Sequence, residues 1–298
     1  MSRIEAEFLK SRRRLFGLAY RMLGSAADAE DIVQETYLRA SRASSDDLRA
    51  PEAYFVSIAS RLCLDHLASA RERREVYVGQ WLPEPIPDTD GMTPESAAAY
   101  ADDLSLALLM TLDRLGAHER AAFLLHDVFD MPFPEVARII DRSEAACRQL
   151  AARARKAVRR DRPARAVSAE EHQAMLLRFA RAVADGGEED LRALFADDAV
   201  LYSDGGGVKP AALNPIRGAG NIARFFVGIE TKSVTFGARR RVELATINGA
   251  AAFLIYQGDS LDQTLSIDTD GDKITSVFAV RNPAKLGAVA AARRGRIQ

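Results

Sequence analysis

Pro134-Glu-Val-Ala-Arg-Ile-Ile140, Asp141-Arg-Ser143 and Glu144-Ala-Ala-Cys-Arg-Gln-Leu-Ala-Ala-Arg-Ala-Arg-Lys-Ala-Val-Arg-Arg160 form one continuous stretch, and its reading decides the fold. A short apolar-periodic run, a tight break and a longer run make the helix-turn-helix pattern. Ser143 is a good N-cap for the second helix, with Glu144 in its first turn. Cys147, Leu150, Ala151, Ala154 and Val158 recur at core spacing. The remaining surface carries Arg148, Gln149, Arg153, Arg155, Lys156, Arg159 and Arg160. In such a motif the first turns of the second helix reach base edges, and Arg and Gln have the donor geometry for guanine and adenine. Later cations, Lys156 among them, would neutralise phosphates. The alternative is a solvated basic face.

Upstream, His118–Val128 reads as a supporting helix. Before it, Trp81-Leu-Pro-Glu-Pro-Ile-Pro-Asp88 continues to Pro94. Proline blocks both helix and sheet there, so 77–98 is expected to be an extended linker. Residues up to about Glu75 before it are helical in pattern, and two segments there stand out. Asp28–Ala40 buries a stripe of Ala29, Ile32, Val33, Thr36, Tyr37 and Ala40, and turns Asp31, Gln34 and Glu35 outward. That acidic side is either a solvated face or a docking surface for a basic partner. Pro51 suits the first turn of the next helix, to Arg74. Phe55, Ile58, Ala59 and Leu62 point inward there, and Ser57, Arg61 and Asp65 outward.

Downstream of Pro163 the pattern changes to α+β. Ser168–Ala184 and Glu188–Leu194 read as helices, Phe195–Tyr202 leads into a strand, and a helix starts near Arg217. Strands are expected over Ala252–Gln257 and within Thr264–Val280. Asn248-Gly249 and Asp270-Gly271 are expected as two-residue hairpin turns.

At 298 residues the chain is long enough for several cores. Its net charge of -1 points to no nucleic-acid partner, so any phosphate-binding face must be local. Cys63 and Cys147 lie far apart without metal-ligand spacing, as expected of buried residues in a reduced protein. The N-terminus has no apolar signal core, and no run reaches membrane-spanning length. A cytoplasmic protein with no cofactor, no metal and no membrane partner is expected. His172, Asp204 and Asp268 make no acid–base pair in the α+β part, so no enzyme is expected. Asp268 lies on a strand from which it can face inward.

The block Leu15–Ala40, with Ala29-Glu-Asp-Ile-Val-Gln-Glu35, resembles region two of extracytoplasmic-function sigma factors of the sigma-70 superfamily. Leu112–Arg160 resembles their region four. The whole chain resembles the sigma-J-like subgroup, which carries a C-terminal SnoaL-like domain. Three short motifs carry that likeness: Trp81-Leu-Pro-Glu-Pro85, Asp204-Gly-Gly-Gly207 with Lys209, and Asn282-Pro-Ala-Lys-Leu286. The subgroup pattern places Lys directly after the glycines, where this chain has Val208, and more often an acidic residue where it has Ala284.

The resemblance implies two all-α modules plus an α+β cone-shaped SnoaL-like barrel. The boundaries are 1–76 for region two, 77–98 for the linker, 99–162 for the region-four helix-turn-helix and 167–290 for the SnoaL-like domain. It implies a sigma factor that directs promoter recognition and opening, with core RNA polymerase and promoter DNA as partners. Asp31, Gln34 and Glu35 match the surface that docks on the polymerase clamp helices. Asp46-Asp47-Leu48-Arg49 matches the loop capturing a flipped minus-ten base, and Arg61 and Asp65 lie on the helix facing that element. Arg148, Gln149 and Arg153 match the helix reading the minus-thirty-five element. An intramolecular contact through Trp81, Pro83, Asp204, Gly205, Gly206, Gly207, Lys209, Asn282, Pro283, Lys285 and Leu286 would regulate the sigma modules in cis, without a separate anti-sigma factor. Trp81 is expected to bury against the third domain. The competing reading is a ligand-binding or enzymatic SnoaL-like domain fused to a transcription regulator.

Overall fold

The structure is a computed structural model that describes residues 3–42, 50–75, 77–87, 104–161, 167–235 and 240–294. The chain divides into two compact units. One holds Met1–Val76, Thr93–Leu104 and Leu108–Arg162; the other holds Tyr77–Met92, Ser105–Ala107 and Pro163–Gln298. No helix of the described residues is long and apolar enough to cross a membrane.

In the first unit α1 (Arg3–Leu23) stops at Gly24, whose left-handed φ of 70° lets its N–H return to Tyr20 O at 2.7 Å. Ser25 then caps α2 (Ala26–Ala40), its hydroxyl accepting from Asp28 N at 3.2 Å. Pro51 opens α3 (Pro51–Glu75). The three helices meet over Leu15, Leu18, Tyr20, Ile32, Val33, Phe55 and Ala59, all buried. Each large side chain there contributes roughly 1.5–3 kcal/mol. Phe8 locks the trio edge-on to Phe55 at 5.5 Å and tilted against Tyr37 at 5.0 Å. Ile58, expected inside, is only partly covered.

Next come α4 (Leu106–Asp113), α5 (Ala117–Phe123) and a π-helical turn (Leu124–Val128). The motif itself is α6 (Phe133–Ile140) and α7 (Glu144–Asp161). Asp141 between them holds φ 53°, a left-handed conformation that Asp tolerates better than most residues. Ser143 caps α7 as expected, accepting from Ala146 N at 3.2 Å. Cys147, Ala151, Ala154 and Val158 are buried; Leu150 is only partly so. Buried Arg120 ties α5 to α1, donating to Met22 O and, at 3.2 Å, to Asp113 Oδ1.

The second unit begins its helices with α8 (Ala169–Asp185), entered through a capping box of Ser168 and Glu171. Then follow α9 (Glu188–Leu194), β1 (Phe195–Asp204), β2 (Ile216–Arg217) and α10 (Ala219–Thr235). Strands β3 (Arg240–Ile247), β4 (Ala250–Gln257), β5 (Ser260–Thr269) and β6 (Ile274–Val280) and helix α11 (Gly287–Arg294) complete it. The six strands form one mixed sheet in the order β2-β1-β6-β5-β4-β3. Only β1 and β6 pair in parallel. One face packs Leu201, Phe253, Leu265, Ile267 and Val277 against Leu176, Phe179, Leu191, Ile222 and Phe226 of the helices. The other carries Ala252, Leu254 and Tyr256, met by Val289 of α11.

Asn248 and Gly249 both take positive φ, the mirror-image turn their sequence demands. Asp270-Gly271 instead opens a longer loop, closed by Asp270 N donating to Lys273 O at 3.2 Å and by Thr269 Oγ1 reaching the same carbonyl. Gly258-Asp259, not singled out in the sequence, makes the two-residue turn between β4 and β5.

Candidate functional site

The expected polymerase-facing residues lie on α2 opposite its buried stripe. Asp31 and Gln34 are exposed, and Glu35 is partly exposed and accepts from Arg39 Nε at 2.7 Å. The i,i+4 partner thus offsets the repulsion between Asp31 and Glu35. Arg61 and Asp65 are exposed on α3, and Arg61 Nη2 donates to Arg138 O of α6 at 3.1 Å. Asp47, Leu48 and Arg49 lie outside the described residues.

On α7, Arg148, Gln149, Arg153 and Lys156 all face solvent. Two of them have acidic neighbours: Arg148 donates to Glu144 Oε2 at 2.8 Å, and Arg153 to Glu119 Oε1 at 2.6 Å. The Arg153 hydrogen bond holds the Glu119 carboxyl below the usual range. Both pairs are solvated, so they orient the cations at little energetic cost to an incoming phosphate or base. Cys63 and Cys147 are free and buried, and burial pushes both thiols up.

The most completely built cluster joins the three short motifs inside the second unit. Asp204, at the end of β1, has no exposed surface. Its Oδ1 accepts from Tyr77 OH at 2.5 Å and Gly206 N at 2.9 Å. Its Oδ2 accepts from Leu82 N at 3.0 Å and Lys285 Nζ at 2.7 Å. The Lys285 ammonium also donates to Leu82 O at 2.5 Å, with the Trp81 ring 4.2 Å and the Tyr77 ring 5.2 Å away. Asn282 donates from Nδ2 to Tyr77 OH at 2.8 Å and accepts from Ala284 N through Oδ1, starting the 3-10 turn Pro283–Lys285. Burial, then the Asp204 hydrogen bond and charge, push the Tyr77 phenol well above its ordinary pKa. A buried carboxylate thus accepts four hydrogen bonds, one of them from an ammonium that is itself largely removed from water, the condition for a buried pair to hold.

The glycines make room for this approach. A Cβ on Gly206, whose φ is 61°, would lie 2.4 Å from the Asn282 amide, and one on Gly205 would lie 2.1 Å from Lys209 O. Lys209 retains an anchor despite the intervening Val208. Its Nζ reaches Asp262 Oδ1 at 2.9 Å, and Arg281 Nη2 reaches Asp262 Oδ2 at 2.8 Å. Burial alone would raise the Asp262 carboxyl, but the hydrogen bonds and charges of Lys209 and Arg281 outweigh it, so its pKa lies below the ordinary value. Farther along the same segment, Ile86 N donates to Asn248 Oδ1 at 3.0 Å and Asn248 N returns to Ile86 O at 2.8 Å. Tyr77–Pro87 is therefore fastened to the sheet at both ends.

The structure redistributes some expected roles. Trp81 is half-buried rather than buried, because its ring caps the Lys285 ammonium; the fully buried anchor is Leu82. Pro83 and Leu286 are buried, whereas Pro283 is exposed. Tyr77, Leu82, Asp262 and Arg281 were not legible as members. Only the need of a buried carboxylate for donors hinted at them. His172, on α8, reaches the sheet, its Nε2 lying 3.0 Å from Ile267 O. Asp268 does not face inward: it follows Ile267 on the strand and points away from the helix-covered face.

Residues 8–73 match the model for sigma-70 region 2, and residues 105–158 match that for sigma-70 region 4. The chain is 41% identical over 295 residues to the ECF RNA polymerase sigma factor SigJ of Mycobacterium tuberculosis, covering 94% of this chain and 92% of that one. It is 35% identical over 185 residues to the probable ECF RNA polymerase sigma factor SigI of the same species, covering 61% and 63%. The crystal structure of M. tuberculosis SigJ superposes with a TM-score of 0.77 at 34% identity, covering 95% of this chain and 98% of that one.

Proposed function

This chain belongs to the ECF RNA polymerase sigma factors, with a SnoaL-like domain as in SigJ, and we propose that its C-terminal domain regulates the sigma modules in cis by holding the linker. A sigma factor binds core RNA polymerase and directs it to promoters. In this reading Asp31, Gln34 and Glu35 dock on the polymerase clamp. Asp47, Leu48, Arg49, Arg61 and Asp65 engage the minus-ten element, whose opened base costs a few kcal/mol to unstack. Arg148, Gln149 and Arg153 read the upstream element, and Lys156 meets phosphate.

The observation that carries the regulatory part is the Asp204 cluster. It draws on the linker, the glycine loop and the Asn282–Leu286 segment at once. A linker pinned at Tyr77, Leu82 and Ile86 restricts the separation that two promoter-bound modules need. Polymerase binding then works as a population shift from the pinned to the released linker. No separate anti-sigma factor is required.

The domain acts as a scaffold, not an enzyme. Its helix-covered sheet face packs a cluster of apolar side chains against the helices. The protein works in the cytoplasm, with its polymerase. The test is run-off transcription with purified core polymerase, comparing the full chain with one ended just before Asn282. The truncated chain is expected to give more transcript at a cognate promoter; equal or lower yield overturns regulation through this cluster.

A further inference from the structure

The turn that precedes the helix-turn-helix is π-helical, and it reaches the recognition helix by way of an aromatic ring. Its wider spacing shows in Phe129 N donating to Leu124 O at 3.0 Å. From it His126 turns Nδ1 to Met131 O at 2.8 Å, which fixes the imidazole plane. That ring stacks on Phe133, the first residue of α6, with centroids 3.9 Å apart and planes 27° apart. Phe133 in turn lies under the Arg148 guanidinium, whose Cζ is 5.3 Å from the ring centroid. Glu144, one turn earlier on α7, accepts from Nη2 of the same guanidinium at 2.8 Å.

We propose that the His126–Phe133 stack is a platform that pre-positions Arg148, making Phe133 a specificity-determining positioning residue for the upstream promoter element. The inference rests on the reading above in which Arg148 touches a base edge. Arg148 is exposed, and a free arginine has many rotamers. A bidentate contact to guanine O6 and N7 requires one plane and one direction. A ring face below and a carboxylate beside the guanidinium select that plane before DNA arrives, so less freedom is lost on binding. Phe133 itself touches no DNA in this account. The asymmetry of the two supports matters: Glu144 competes with the base as an acceptor and must yield, whereas the ring can remain in place beneath the bound guanidinium. Asp127 of the same π turn pairs with Arg155 at 2.6 Å, giving the turn a second hold on α7.

The experiment uses holoenzyme reconstituted from core polymerase and the full chain, with base preference measured on promoters randomised through the upstream element. Arg148→Ala is the reference and flattens preference at one position. Phe133→Leu keeps apolar bulk but removes the ring face. It is expected to lose roughly fivefold discrimination at that same position, the scale of an exposed cation–π contact. Phe133→Tyr restores the ring and is expected to retain it. Core pull-down and the salt dependence of binding stay unchanged in both, which separates positioning from a folding defect. Preserved discrimination in Phe133→Leu overturns the platform, as does a gain, which would mean that the ring sequesters Arg148. If Arg148→Ala flattens no position, the base-contact reading fails first and the platform with it. Should Phe133→Leu fail to bind core, His126→Ala, which removes only the supporting ring, carries the same expectation and the same contrary result.

Discussion

Lys285 places its ammonium 2.7 Å from Asp204, a carboxylate with no exposed surface, across 81 residues of sequence. Because the Asp204 carboxylate has no bulk water to fall back on, removing its cation is worse than removing both charges. Lys285→Met should destabilise the second unit by about 3–5 kcal/mol. Asp204→Asn combined with Lys285→Met should recover part of that loss. Urea unfolding of the full chain followed by Trp81 fluorescence measures both, since Trp81 is the protein's single tryptophan and sits on the Lys285 ammonium.

Asp262 links the glycine loop to solution pH. Its folded pKa is depressed, so its contribution to stability is complete above the ordinary carboxylate pKa of about 3.9 and disappears as pH falls through the folded value. Acidification is therefore expected to loosen the Lys209 and Arg281 contacts. Asp262→Asn should be less stable near neutrality and should lose less stability below about pH 4 than the parent. Unfolding free energies at a series of pH values check the difference in slope. Parallel curves would assign the acid sensitivity elsewhere.

Those helices that the sequence marked, and the Ser143 cap, were legible because their signals are local. Core spacing placed the buried faces of α2 and α7, Ser143 announced its own helix, and Asn248-Gly249 named its turn type. What the sequence hid is tertiary. Asp262 falls between the two expected strands, where it reads as an ordinary polar residue, and only folding brings Lys209 and Arg281 to it. Tyr77 lies between an arginine-rich helix end and a proline run, with no periodicity to mark it. Its partners Asp204 and Asn282 are 127 and 205 residues away. Trp81 drew attention as the lone tryptophan, but a ring that caps a cation keeps one side toward solvent, and the chain buried the aliphatic Leu82 instead.

The acidic face of α2 makes a separate claim. Asp31→Arg with Glu35→Arg should abolish binding to core polymerase while leaving helicity intact, since both residues lie opposite the buried stripe. A core pull-down alongside circular dichroism measures it. Full retention of binding would remove Asp31 and Glu35 from the polymerase interface.

The central claim is that fastening the linker to the sheet restrains the sigma modules, and Trp81 offers the mildest way to loosen it. Trp81→Ala removes the ring over the Lys285 ammonium and leaves the Asp204 hydrogen bonds available. Loss of a partly desolvated cation–π contact shifts the balance toward the released linker by roughly 1–2 kcal/mol, or about 5–30-fold. The decisive measurement is the run-off transcript yield of Trp81→Ala relative to the unmodified chain, at limiting core polymerase and equal core occupancy. A yield several-fold above the unmodified chain is the predicted result; an equal or lower yield contradicts the restraint.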